Sequence, residues 1–240
     1  MNKKLIKRYA TLGILFFLPV IFLLMLFPAK HHYNPLDVVH ENIVDLDHFT
    51  SEDNQDIVLK DHITVLGFLG KEPISNTIAA SNLKELVYDK FKGFKKFQVV
   101  LLLPHGTQED LNLLKKEIKS YEDLKYWHFL FGEEEDIKNV YHSLKSRSPL
   151  GADLSTHDVF IIDKDLKQRG RLDDRSDKEK EKKKPAYPLY AYNCIEVAEL
   201  KNKMSADDLR VLFQEYREKR KGNFDSSTRR SNDLKQTNEQ

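Results

Sequence analysis

Only one cysteine, Cys194, occurs among the 240 residues of the sequence. A single chain therefore cannot close a disulfide or run a dithiol redox cycle, because both need two sulfur atoms. The same shortage excludes a structural zinc site built on cysteines and a cysteine-ligated iron–sulfur cluster. The sequence also lacks a Gly-rich phosphate loop, a Ser-His-Asp arrangement and an HExxH motif. The commonest signatures of nucleotide-binding and hydrolytic enzymes are therefore missing.

An excess of charge of one sign is also missing. The 39 basic and 38 acidic side chains leave a formal net charge of +1. No overall field therefore attracts nucleic acid, and we do not expect nucleic acid as a partner.

One long apolar run is present near the N-terminus. Residues 9–28 follow a basic stub of residues 1–8, and about 20 apolar residues suffice for a helix to cross a lipid bilayer. Four basic residues precede the run and only Lys30 follows it closely. The positive-inside rule then predicts a single-pass protein of the cytoplasmic (inner) membrane, with its N-terminus in the cytoplasm. Everything after Pro28 is expected on the extracytoplasmic, or periplasmic, side.

A cleaved signal peptide is the alternative interpretation of this run. Its apolar region would be about 7–15 residues long and would end at a cleavage site of small residues. The run here is longer, and the sequence Leu26-Phe27-Pro28-Ala29-Lys30 is a poor cleavage site. We therefore favour an uncleaved signal anchor that contacts the lipid bilayer.

Beyond the anchor, the sequence predicts a spacer, one folded domain and a polar tail. They cover residues 29–48, residues 49–221 with an insertion at residues 173–193, and residues 222–240. The domain is expected to open with a β-hairpin over Phe49–Leu59 that turns at the polar residues 52–55. The tail is almost free of apolar residues, which predicts disorder.

Buried strands alternate with amphipathic helices through the rest of the domain. Compact apolar runs predict strands at residues 63–69, 97–103, 126–131 and 158–162. A tight turn at Asp163–Lys167 predicts a fifth strand at residues 168–172. Helical spacing of apolar residues predicts helices at residues 77–91, 107–118, 133–145 and 205–221. Thr107 and Ser205 are expected to cap two of them. This order is typical of an α/β fold with a mostly parallel central sheet, flanking helices and an antiparallel edge.

The order resembles that of the thioredoxin-like superfamily. Val65-Leu66-Gly67-Phe68 matches the strand that leads to the active loop of these proteins, and Phe160-Ile161-Ile162-Asp163 matches the late strand and its turn. Within the superfamily, residues 49–221 are most similar to the membrane-anchored Sco (SenC) copper chaperones. The resemblance implies a thioredoxin-like fold and, as partner, cytochrome c oxidase or another membrane respiratory complex.

The departures from the family pattern concern its functional residues. Sco proteins carry Cys-x-x-x-Cys in the loop after the first core strand, and thioredoxins carry Cys-x-x-Cys there. The corresponding loop here, Gly70–Asn76, has no thiol. Sco proteins also use a histidine near the late strand as a copper ligand, whereas His157 lies near the slot where thioredoxins place a cis-proline. The resemblance therefore does not carry the copper site over intact.

An altered metal site is one hypothesis for this end of the sheet. The loop after the first core strand and the start of the late strand meet in this fold, so Glu72 and His157 are expected to approach each other. His105 ends the neighbouring strand and completes the candidate ligand set. Imidazole and carboxylate suit zinc or cupric copper, whereas cuprous copper prefers thiolate. The alternative is that these are ordinary polar loop residues.

Three further features have both a functional and a structural interpretation. Nothing near Cys194 in sequence supplies a base, so we expect a packed thiol rather than a nucleophile. Glutamates alternate through the basic run Lys178–Lys184, which favours a solvated loop over a headgroup-binding patch. The tyrosine-rich segment Tyr187–Tyr192 is expected to pack against the domain rather than a partner.

The sequence thus leads to three hypotheses about function. The first is a non-enzymatic, redox-inactive interaction or assembly factor with no cofactor, in which the former active loop is a pseudo-active site. The second is a copper or zinc carrier that uses His157, His105 and Glu72. The third is a thiol-dependent enzyme that uses Cys194.

Overall fold

The computed structural model describes residues 3–26, 35–53, 55–118 and 124–221. The chain divides into two compact units, Met1–Asn34 and Pro35–Gln240. The first contains helix α1, Lys3–Leu26, whose stretch Lys7–Met25 is long and apolar enough to cross a membrane. The predicted apolar span is therefore a helix as far as Leu26. The tail predicted at residues 222–240 lies outside the described residues.

The second unit is built around one mixed sheet. Its strands are β1 Asp37–His40, β2 Thr50–Ser51, β3 Ile63–Leu69, β4 Phe97–Pro104, β5 Trp127–Gly132, β6 Ser155–Ile162, β7 Gln168–Gly170 and β8 Tyr192–Asn193. The main strand order is β1-β7-β6-β3-β4-β5-β2, and β8 pairs with β6. Strands β3, β4 and β5 are parallel, whereas β6, β7 and β1 run antiparallel to their neighbours.

Helices connect the parallel strands, as they must when consecutive strands point the same way. Helices α2 Thr77–Leu83 and α3 Asp89–Phe91 lie between β3 and β4, and α4 Gln108–Ile118 lies between β4 and β5. The remaining helices come after the parallel strands and are α5 Glu134–His142, α6 Asp177–Glu181 and α7 Leu209–Arg220. A π-helical turn, Lys84–Tyr88, joins α2 to α3. Two clusters of buried apolar side chains fill the two faces of the sheet. This topology confirms the α/β, thioredoxin-like fold class expected from the sequence.

The start of the domain differs from the prediction. Thr50–Ser51 pairs with Phe131 and Leu130 of β5, and residues 55–59 form no strand, so the predicted hairpin is wrong. Within the predicted spacer, residues 37–40 form β1 at the edge of the sheet. Ile43 and Leu46 are buried just beyond it. These isolated apolar residues lie among polar neighbours, which is why the run resembles a spacer in sequence.

The last helix also begins earlier than predicted. A π-helical segment, Glu199–Asp208, leads directly into α7. Leu200 and Met204 are buried in the core and extend the apolar face of the helix toward its N-terminus. Ser205 is therefore a buried residue inside the helix and not its cap.

The predicted insertion is folded onto the domain. Its residues 189–192 are nearly all buried, and Leu189 bridges to Arg171 at the end of β7. The hydroxyl of Tyr192 donates to Asp208 at 2.6 Å, and Arg171 binds the same carboxylate. The expected packing of the tyrosine-rich segment is therefore confirmed from Leu189 onward. The basic run Lys178–Lys184 is largely exposed, as predicted, but its first part is not a loop, because Asp177–Glu181 forms the short helix α6.

A buried ion cluster joins the sheet to the last helix. Arg169 of β7 binds Asp163 at 2.8 Å and Glu215 of α7 at 2.5 Å, and all three side chains are buried. A further guanidinium N–H of Arg169 donates to the backbone carbonyl of Leu36 at 2.8 Å. One arginine therefore links the start of the domain, the turn after β6 and α7.

Candidate functional site at the end of strand β3

The loop that follows β3 meets the start of β6, as the sequence predicts. Leu69 pairs with Ser155, and the backbone N–H of Lys71 donates to the carbonyl of Asp153 at 2.8 Å. Gly70 turns the chain with a φ of +72°. A Cβ at this position would lie 2.5 Å from the Asp153 carbonyl oxygen. The approach of the two segments therefore depends on a residue without a side chain.

Local hydrogen bonds fix the loop and the helix that it starts. The buried side-chain amide of Asn76 donates to the Leu69 carbonyl at 2.9 Å. The hydroxyl of Thr77 donates to the Ile74 carbonyl at 2.6 Å. Lys71 forms an ion pair with Glu134 of α5 at 2.5 Å, with both side chains about half exposed. The loop is thus held at both ends by groups that perform no redox chemistry.

The three candidate metal ligands occupy separate positions around this end of the sheet. Glu72 accepts a hydrogen bond from Ser75 at 3.4 Å. The ring of His105 stacks on Phe131 of β5 with centroids 6.5 Å apart. His157 lies exposed on β6. Strand β3 separates β6 from β4, which His105 follows, so two strand spacings of about 4.8 Å each lie between them.

No group of three or more His, Cys, Asp or Glu side chains within the described ranges could hold a metal ion. The predicted set of His157, His105 and Glu72 is therefore not assembled in this structure. Closeness of the two loops, which the sequence predicts correctly, does not by itself bring ligands from three strands to one point.

Cys194 lies much closer to this site than its sequence position indicates. Its backbone N–H donates to the His157 carbonyl at 2.8 Å. Its own carbonyl accepts from the amide of Asn82 on α2, 112 residues away in sequence, at 2.9 Å. Its neighbours around a cavity of about 10 Å³ are Leu69, Asn76, Ala80 and Thr156, among others. That space amounts to about one water molecule.

The environment of Cys194 disfavours the thiolate form of its side chain. The side chain is only 3% exposed. Burial, followed by the charges of Asp158 and Glu199, raises the pKa of the thiol. The pKa of this thiol is higher in the folded chain than in the unfolded chain, where it is about 8.5. Its contribution to stability is therefore fully present below the unfolded pKa and is lost as pH rises through the folded pKa. A nucleophile must be a thiolate, so the expectation of a packed thiol is confirmed.

Exposed apolar side chains lie on the loop, on α2 and in the segment that follows Cys194. Ile74 and Ile78 lie one helical turn apart and face the same side. Ile195 and Val197 are also exposed, and they follow Cys194, which is hydrogen-bonded to α2. We call Ile74, Ile78, Ile195 and Val197 the loop patch. This patch was not identified from the sequence, because no local signal places residues 195–197 beside α2.

Comparison with known proteins gives similarity to solved structures only. No family model and no curated protein matches the chain. The soluble domain of Sco1 from Bacillus subtilis is 15% identical, with 75% of this chain and 92% of that chain covered and a TM-score of 0.42. A putative protein disulfide isomerase from Bacteroides thetaiotaomicron is 12% identical, with 77% and 93% covered and a TM-score of 0.43. Copper-bound ScoI from Arabidopsis thaliana is 14% identical, with 69% and 95% covered and a TM-score of 0.40.

The strand order and directions are those of a thioredoxin-like fold. Strand order and direction define this class, and the similarity assigns no activity to individual residues of the chain. The family resemblance noted in the sequence implies two thiols in the loop that follows β3. The loop Gly70–Asn76 has neither, and the single thiol of the chain is buried beneath it.

Proposed function

We propose that this chain is a membrane-anchored, thioredoxin-like protein without redox activity that acts as an interaction or assembly factor. One observation carries the proposal. The loop where a thioredoxin-like fold performs thiol chemistry has no cysteine, and the only thiol of the chain is sealed below it with a raised pKa. A site that retains its scaffold but lacks its reactive atoms is suited to binding.

The loop patch supports a binding role for this end of the domain. Exposed apolar side chains that lie together cost solubility unless a partner covers them, and interfaces are built around such groups. Ile78 is the most exposed of the four, at 66%. The patch is fixed to the rigid end of the sheet by Asn76 and Asn82, so binding there requires little ordering of the chain.

The anchor and the partner complete the proposal. Helix α1 holds the chain in the cytoplasmic membrane, and the basic stub before it keeps the N-terminus in the cytoplasm. The domain then works on the extracytoplasmic side. The sequence resemblance to Sco proteins makes a respiratory complex, with cytochrome c oxidase first, the partner to test.

Replacing Ile78 with aspartate is expected to reduce recovery of the partner complex by roughly tenfold, because a charge in an apolar contact removes on the order of 1.4 kcal/mol or more. The full chain is tagged, extracted from host membranes in mild detergent and isolated, and quantitative mass spectrometry measures the co-purified respiratory subunits. Leu113→Asp is the matched control, because Leu113 of α4 is 50% exposed and lies outside the loop patch.

The proposal predicts that wild-type protein and Leu113→Asp recover the same complex in similar amounts. Recovery of the chain alone, or equal recovery with Ile78→Asp, would contradict it. Resistance of the chain to extraction from membranes by alkaline carbonate tests the anchor separately.

A further inference from the structure

A second surface of the domain combines an exposed aromatic ring with unpaired basic residues. Phe94, in the loop before β4, is 48% exposed, and its ring stacks on Phe213 of α7 with centroids 4.4 Å apart. Phe213 in turn stacks on the buried Phe91 at 5.2 Å. Stacking on Phe213 therefore holds Phe94 at the surface. Its large apolar ring stays in solvent unless a partner covers it.

Basic side chains of α3, of α7 and of the π-helical segment before α7 flank this ring. Arg210 and Arg217 lie two helical turns apart on the exposed side of α7, and Lys90 and Lys201 lie beside Arg210. Partial burial, and then the charges of Lys201 and Arg210, lower the pKa of Lys90, so like charges are crowded here. We call Lys90, Phe94, Lys201, Arg210 and Arg217 the α7 face.

Among the residues that the structure describes, Lys90, Lys201, Arg210 and Arg217 form no ion pair. Three acids close to them in sequence have other cationic partners: Asp89 binds Lys84 at 3.1 Å and Lys92 at 3.4 Å, Asp207 lies 3.5 Å from Arg171, and Glu218 lies 3.6 Å from Lys221. A single-sign patch with a projecting ring remains. An anionic surface that also accepts an aromatic side chain would satisfy both features.

The chain reaches the domain close to α7. The Leu36 carbonyl is bound by Arg169, which is bound in turn to Glu215 of α7. Eight residues separate Leu26, the last residue of α1, from Pro35. Nine peptide steps span at most about 30 Å. In a chain anchored by α1, the membrane surface is therefore always within reach of the domain.

We propose that the α7 face docks onto anionic lipid headgroups of the membrane that holds α1. Clustered Lys and Arg residues attract anionic lipid, and aromatic rings favour the membrane interface. The inference rests on the proposed anchoring. It adds an orientation: α7 faces the lipid, and the loop patch at the C-terminal end of β3 stays available to a partner.

The test places a tryptophan on the α7 face and measures its contact with lipid. Full-length Phe94→Trp is reconstituted in lipid nanodiscs with acyl-chain-brominated lipids, which quench nearby tryptophan, and wild-type protein gives the contribution of Trp127. Leu113→Trp is the matched control on an equally exposed site. We expect extra quenching of Phe94→Trp in discs that contain phosphatidylglycerol, little in phosphatidylcholine discs, and none for Leu113→Trp.

Removing charge should then release the domain. Arg210→Gln and Arg217→Gln, added to Phe94→Trp, are each expected to lower the docked-to-free ratio by roughly fivefold, the effect of one basic residue at an anionic surface. About 1 M salt should abolish quenching, because the Debye length falls to about 3 Å. Unfolding midpoints in urea check that each variant is folded.

The possible failures are distinguishable. A chain that does not elute with the nanodiscs refutes the anchoring, and the docking with it. A chain that elutes with the discs but shows no phosphatidylglycerol-dependent quenching refutes the docking alone and leaves the proposed function standing. Quenching that is equal at positions 94 and 113, or unchanged in the glutamine variants, also overturns the docking.

Discussion

Replacing Arg169 with methionine is expected to lower the free energy of unfolding by about 3–5 kcal/mol, the usual cost of removing one partner from a buried ion pair. Methionine preserves much of the side-chain volume but leaves Asp163 and Glu215 without their guanidinium, and it frees the Leu36 carbonyl. Buried Asp163 then loses its guanidinium partner, and buried Glu215 retains only Lys219, at 2.8 Å, so both carboxylates are less well compensated. Urea unfolding of the full chain, followed by Trp127 fluorescence, gives the change as a shift in midpoint.

Two further variants test whether this explanation holds. Lys138→Met removes an exposed ion pair with Glu134 and should cost less than about 1 kcal/mol. Adding Glu215→Gln to Arg169→Met should recover part of the loss, because one buried negative charge that has lost its guanidinium disappears. A loss below 1 kcal/mol for Arg169→Met, or no recovery in the double variant, would show that the buried cluster does not hold α7 to the sheet.

Replacing Gly70 with alanine is expected to destabilise the domain by about 2–5 kcal/mol. The residue has a φ of +72°, which costs an L-residue roughly 1–2 kcal/mol. The new Cβ would also lie 2.5 Å from the Asp153 carbonyl oxygen and 2.8 Å from the Ser155 nitrogen. Both are backbone atoms, so relief requires movement of the loop or of β6, at a cost of about 1–3 kcal/mol.

Gly106→Ala separates the two contributions. Gly106 has a φ of +89°, but no atom lies within 4 Å of a Cβ placed there. Gly106→Ala should therefore lower the free energy of unfolding only by the conformational cost of about 1–2 kcal/mol. The same urea titration measures both variants. Equal midpoints for Gly70→Ala and Gly106→Ala would contradict the close contact between the loop and β6.

Strongly patterned segments made much of the fold predictable from sequence. Ile63–Leu69 and Phe97–Leu103 are continuous apolar runs, and each forms a central strand that is buried on both faces. The hairpin at Phe49–Leu59 failed because its short apolar stretches pair with a distant strand instead of each other. Strand β1 was missed because its side chains are at most partly buried, so its pairing with β7 leaves little apolar pattern in the sequence.

The candidate site was predictable only in part. The loop Gly70–Asn76 and its approach to the start of β6 follow from strand order, which the sequence indicates. The position of Cys194 does not, since the contact with Asn82 joins residues far apart in the chain through an amide and a backbone carbonyl. Such a contact depends on the path of the insertion across the sheet. For the same reason, Ile195 and Val197 could not be assigned to the loop patch beforehand.

Insulin reduction by dithiothreitol, measured with and without the full chain in nanodiscs, tests the absence of redox activity most directly. A fold that exchanges disulfides accelerates this reaction, which needs an accessible thiolate. We predict the same rate with wild-type protein, with Cys194→Ser and with empty discs. A rate enhancement by the wild-type chain that disappears in Cys194→Ser would contradict the account.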